Sequence, residues 1–147
     1  MVTSVRSVFL ALLFALFVMG QSAVEAANWQ EIKVDSDART AIDRASVNLV
    51  GGVTEAWFRI FYYAGGKVPE SARVGSPQAV PVYSYVLMLL AFDCSRKTIA
   101  TLQTAYYNTA DEVVGRWSAV ATPRELAQHI VPESVGEHYL EEACRRR

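Results

Sequence analysis

From Trp29 onward, apolar and polar positions alternate repeatedly with a period of two. A pleated strand puts successive side chains on opposite faces, so the pattern predicts a chain built mainly of β-strands. Trp29 to Val34 (WQEIKV) predicts a first strand, and Asp35-Ser36-Asp37 a turn. That D-x-D spacing opens like a calcium loop but lacks the motif's glycine and closing glutamate, so a solvated turn is the better reading. Thr40 to Val50 predicts a second strand or a bent pair, and Gly51-Gly52 a tight hairpin, because glycine adopts the positive φ such turns need. Thr54 to Tyr63 (TEAWFRIFYY) predicts a third strand. Its Ala56, Phe58, Ile60 and Tyr62 make an apolar face, against a mixed face of Glu55, Trp57, Arg59, Phe61 and Tyr63.

Glycines and prolines, Gly75 and Pro77 among them, punctuate Ala64 to Val82 and predict a long loop suited to mobility or partner contact. Tyr83 to Cys94 is apolar at both parities: Val86, Met88, Leu90 and Phe92 on one side, Tyr83, Tyr85, Leu87, Leu89 and Ala91 on the other. A strand of that kind is expected to be central and covered on both faces. Thr98 to Tyr107 and Asp111 to Val120 predict two more strands, with Gly115 marking a bulge or a closely packed neighbour. Thr122-Pro123-Arg124-Glu125 and Ser134-Val135-Gly136-Glu137 are capping boxes that predict two helices, the first ended by Pro132 and the second running to Cys144. Both histidines, His129 and His138, fall in this helical tail. The expected fold is α+β: an antiparallel sheet of about six strands with a C-terminal helix packed on one face.

The start of the chain adds a compartment. Arg6, the apolar run Val8 to Met19 and the small residues up to Ala26 have the layout of a secretory signal peptide. The run is about a dozen residues, short of the ~20 that span a bilayer as a helix. Residues 1–26 are therefore expected to be a signal peptide and 27–147 one mature domain, with no stable membrane span. In an oxidising compartment Cys94 and Cys144, the only cysteines, can pair and staple the last helix to the sheet. Their separation and the two histidines form no recognisable metal pattern.

Charge excludes more than it suggests. Fourteen basic against fifteen acidic residues leave −1, with no global field for nucleic acid or an anionic membrane. The closing Arg145-Arg146-Arg147 reads as a solvated helix end before it reads as a polyanion contact. No nucleophile elbow, zinc-protease motif or phosphate-binding glycine loop occurs, so no enzyme activity, cofactor or metal is expected. Asp43 and Asp93 border apolar segments and could carry raised pKa values as the centre of a small periplasmic hydrolase or ligand-binding protein. Capping and turn roles are the commoner use of such carboxylates. The working surface expected here is Trp57, Arg59, Phe61, Tyr63, Tyr83 and Tyr85 with Arg73, Arg96 and Lys97, since aromatic and arginine side chains commonly dominate binding energy. One helix covers only part of one sheet face, so apolar surface would exceed cover and a homodimer through the sheet is a further expectation.

An ordered set of residues completes the reading. It comprises Trp29, Ile42-Asp43-Arg44-Ala45-Ser46, Ala56-Trp57-Phe58, Phe92-Asp93-Cys94-Ser95, Trp117, and a Pro132-x-Ser134 helix start ending at Cys144. This resembles the surface-adhesin protein E-like domain of Gram-negative bacteria over nearly all of the mature chain. The resemblance implies an antiparallel sheet with a packed C-terminal helix. It also implies binding to host matrix and serum glycoproteins such as vitronectin, laminin and plasminogen. Ala27 and Asn28 stand where a lipid-anchored relative would carry a cysteine. The implied product is an exported binding protein at the surface, in the periplasm or secreted. A structural envelope component, or the small-ligand or hydrolytic type, is the alternative.

Overall fold

The computed structural model describes residues 26–73 and 79–145. The leader up to Glu25, and Gly75 and Pro77 of the long loop, lie outside the described residues. Eight strands form one antiparallel sheet: β1 (Trp29–Val34), β2 (Ala38–Asp43), β3 (Asn48–Val50), β4 (Val53–Lys67), β5 (Val82–Asp93), β6 (Thr98–Tyr107), β7 (Val113–Ser118) and β8 (Gln128–His129). Their order is β1-β2-β4-β5-β6-β7; β3 also pairs with β4, and β8 with β6. A one-turn helix, α1 (Pro123–Leu126), follows β7, and α2 (Val135–Cys144) closes the chain.

Local chemistry sets the corners. Asp35 accepts hydrogen bonds from the backbone N–H of Asp37 (3.0 Å) and Ala38 (2.8 Å), so the D-x-D is a turn. Gly51 and Gly52 take φ of +56° and +89° in the β3–β4 hairpin. The segment 40–50 is the bent pair: Asp43 caps a 3-10 turn, Arg44–Ser46, which redirects the chain from β2 into β3.

The inner face of the sheet is the core. Ile42, Ala56, Phe58, Ile60, Leu90 and Phe92 pack beneath Tyr139, Leu140 and Ala143 of α2. The Phe58 ring lies 4.9 Å from that of Tyr139 and 5.8 Å from that of Phe92. Tyr139 Oη shares a hydrogen bond with Thr40 Oγ1 at 3.1 Å, which satisfies a buried hydroxyl. Arg44 and Glu142 form a buried ion pair, and Arg44 also donates to Gln30 Oε1 and to the Glu142 carbonyl, both at 2.7 Å. His138 Nε2 donates to the Ile32 carbonyl at 2.9 Å. A Cys94–Cys144 disulfide joins the end of β5 to the end of α2.

Four expectations need correction. β4 runs on to Lys67 through a register break between Phe61 and Gly66, because Gly65 at φ +67° lets the backbone turn and keep pairing. The helix at Thr122 is one turn long despite its capping box, since the chain leaves it to pair as β8 with Thr98 and Ile99. His129 therefore sits on an edge strand, not a helix. On the outer face of β5 Ala91 is buried and Leu87 and Leu89 are only partly buried, and among the described residues no helix packs over them, so β5 carries helical cover on its inner face alone. Gly115 is the expected close contact: a Cβ there would lie 2.4 Å from Val68 Cγ1 and 2.9 Å from the Ala72 carbonyl.

Candidate functional site

The uncovered outer face carries an unbroken row of rings and guanidinium groups. Strict alternation along β4 puts Trp57, Arg59 and Phe61 there, directly opposite Leu89, Leu87 and Tyr85 of β5. Register then places Tyr107 of β6 opposite Tyr85. The Phe61 and Tyr85 rings are 5.0 Å apart, and Tyr85 stacks on Tyr107 at 4.7 Å with planes 3° apart. Arg39 of β2 lies 4.5 Å over Phe61. Arg59 lies 4.4 Å from the Trp29 ring and 5.0 Å from that of Phe61, a cation held against two π-faces. Arg59 Nε is buried there without a hydrogen-bond partner.

Burial, and then a hydrogen bond to Asp111, push the Tyr85 phenol up to about 12. Among the described residues neither Arg39 nor Arg59 makes an ion pair. The shallow hollow between them is walled by Trp29, Glu31 and Phe61.

The nine residues of the expected surface do not form one patch. Trp57, Arg59, Phe61 and Tyr85 share the outer face. Tyr63 lies within the register break and is 58% exposed. Tyr83 belongs elsewhere: its ring meets Tyr62 at 5.6 Å and Tyr106 at 5.0 Å, on the other side from Tyr85. Gly66 makes this possible, since a Cβ there would fall 2.4 Å from Tyr83 Cζ. Arg73 bridges to Gly115 of β7 and donates from Nε to the Val68 carbonyl at 3.2 Å, which fastens the long loop to the sheet. Arg96 and Lys97 stand at the β5–β6 turn, beyond the aromatic row. Sequence reading missed Trp29 and Arg39 as members of the row. Both reach it through strand pairing, a non-local property that no spacing along the chain encodes.

The carboxylates proposed for the hydrolytic alternative are separate and occupied. Asp43 accepts from the N–H of Asn28 (2.7 Å) and Ala45 (3.1 Å). Asp93 Oδ1 accepts from the Ser95 hydroxyl (2.6 Å), the Arg96 N–H (3.0 Å) and the Ser95 N–H (3.1 Å). The Ser95 hydroxyl first, then the Arg96 N–H, hold the Asp93 carboxyl below its ordinary value, the reverse of the raised pKa considered for it. Among the described residues no three His, Cys, Asp or Glu side chains gather where a metal could sit, and no helix is long and apolar enough to cross a membrane.

An antiparallel sheet stapled by a disulfide to one helix on its inner face defines a disulfide-bonded α+β domain. Residues 29–145 match the family model for Surface-adhesin protein E, and the chain belongs to that family. Comparison with curated proteins gave no match, and neither did comparison with solved structures. The residues that carry the family resemblance are largely scaffold: Asp43 and Ser134 are caps, Asp93 orders a turn and Cys144 closes the disulfide.

Proposed function

We propose that the chain is an exported, non-enzymatic adhesin-like protein that docks a protein partner on its open sheet face. The observation that carries this reading is Arg59, held between the Trp29 and Phe61 rings with no ion pair among the described residues, in the middle of an aromatic row that no helix covers among those residues. Pre-positioned arginine and aromatic side chains are the groups that most often act as binding hot spots. Their fixed geometry lowers the ordering cost of association. Arg39 and Arg59 together favour a partner that presents carboxylates. Host matrix and serum glycoproteins such as vitronectin, laminin and plasminogen are the proposed class. Residues 1–26 are the proposed leader and 27–147 the mature domain, delivered to the periplasm, the cell surface or the medium.

Surface plasmon resonance of the oxidised protein over these three glycoproteins tests the proposal. Saturable binding to at least one, weakened about tenfold or more in Trp57→Ala with an unchanged circular dichroism spectrum, is the expected result. No saturable binding to any of them overturns the host-adhesin reading. A dimer in sedimentation that is lost in Trp57→Ala would assign the face to a second copy of the chain instead.

A further inference from the structure

At the other end of the outer face, an open cleft of about 510 Å³ lies between the Gly51-Gly52 hairpin and α1. The buried methyl groups of Ala91 and Ala100 form its floor. Arg96, Arg124 and His129 line it, delivered by three separate elements: the β5–β6 turn, α1 and β8. Each element is fixed. The Asp93 carboxylate and the adjacent disulfide hold the turn, Glu125 accepts from the Thr122 N–H (2.8 Å) and hydroxyl (2.7 Å) at the start of α1, and strand pairing holds β8.

The charge of the cleft is unbalanced. Asp93 is its only acid, and three donors of its own turn occupy one of its oxygens. The other lies 3.7 Å from Arg96 Nε. Arg124 and His129 make no ion pair or side-chain hydrogen bond among the described residues.

The lining also sets the kind of ligand. It holds the hydroxyl-bearing Ser95 and Thr98 but no phenylalanine, tyrosine, tryptophan, leucine, isoleucine or methionine, so it lacks the large apolar anchors that protein partners fill. The glycine wall carries no side chains, and nothing lies within 4 Å of where they would stand, which leaves the mouth wide. The volume falls within the ~300–1,000 Å³ range of small-molecule sites, well beyond the needs of a single ion.

We propose that this cleft binds an anionic sugar unit bearing sulfate or carboxylate groups, with Arg96 and Arg124 on the anionic groups and Ser95, Thr98 and His129 toward ring hydroxyls. Arginine's planar fork suits both oxyanions. This site is separate from the aromatic row and does not depend on the reading of that row.

Titration of the oxidised, isotope-labelled protein followed by amide NMR tests it, with a heparin-derived tetrasaccharide, inorganic sulfate, cellobiose and a tetraglutamate peptide as probes. Saturable shifts at Gly51, Gly52, Arg96 and His129 are expected with the tetrasaccharide and not with cellobiose. The Arg96→Gln and Arg124→Gln variants should each weaken binding about tenfold while Lys67→Gln, at an exposed cation away from both sites, leaves it unchanged. Equal affinity for sulfate at matched anion concentration overturns the sugar assignment, as does tighter binding of the peptide. Shifts absent from the cleft, or unaltered in both cleft variants, overturn the site itself.

Discussion

Removing the disulfide should destabilise this domain strongly. The bridge joins residues 50 apart in sequence, and a closed loop of that length lowers unfolded-chain entropy by an amount worth about 4 kcal/mol at 25 °C. A domain of about 120 residues unfolds with an entropy near 250 cal/mol/K, so the loss corresponds to a fall in Tm of about 15 °C. The native contacts of α2 survive, because Tyr139, Leu140 and Ala143 stay packed on Phe58 and its neighbours and Glu142 keeps Arg44. The Cys94→Ala/Cys144→Ala variant is therefore expected to fold at room temperature with native secondary structure. Scanning calorimetry of this variant beside the oxidised parent gives the number. A Tm within about 4 °C of the parent would refute the reasoning, since the sheet would then need no staple to retain its helix.

Arg44→Met leaves Glu142 buried with only the largely exposed Arg145 as partner, and should destabilise by about 3 kcal/mol in urea unfolding; Arg44→Met/Glu142→Leu should recover most of that. Gly115→Ala must displace the Ala72 carbonyl as well as Val68, and should cost about 1–3 kcal/mol in the same assay. For the Tyr85 phenol, raised to about 12 in the folded protein against about 10 unfolded, the folded state holds the proton more tightly. Its contribution to stability is thus complete below pH 10 and lost as pH climbs to 12. Ultraviolet difference titration should show a late phenol that is absent in Tyr85→Phe.

The sequence made the local parts of this fold legible and left the pairing obscure. Thr98–Tyr107 is a strand over the predicted residues, and the apolar parity of the Thr54–Tyr63 segment is the parity that faces the core. Both follow from side chains reporting their own environment. The Cys94–Cys144 bridge was readable because no other pairing exists. β8 was not, since two residues held only by a neighbour's edge leave no periodicity. Tyr83 was assigned beside Tyr85 because alternation was carried through a register break that only the partner strand reveals. At the site, Trp57, Arg59 and Phe61 were visible as one face of one strand, whereas Trp29 and Arg39 join them only once β1 and β2 are set in register. The open outer face follows from arithmetic on the elements, since a single ten-residue helix cannot cover two sides of a sheet.

Hydrogen exchange of the oxidised protein, free and saturated with whichever glycoprotein binds, tests the docking surface directly. The account predicts new protection in the peptides covering Trp57–Phe61 of β4 and Tyr85–Leu89 of β5, with peptides of α2 unchanged. Protection confined to α2, or to the β5–β6 turn and α1 while β4 exchanges as before, would contradict it.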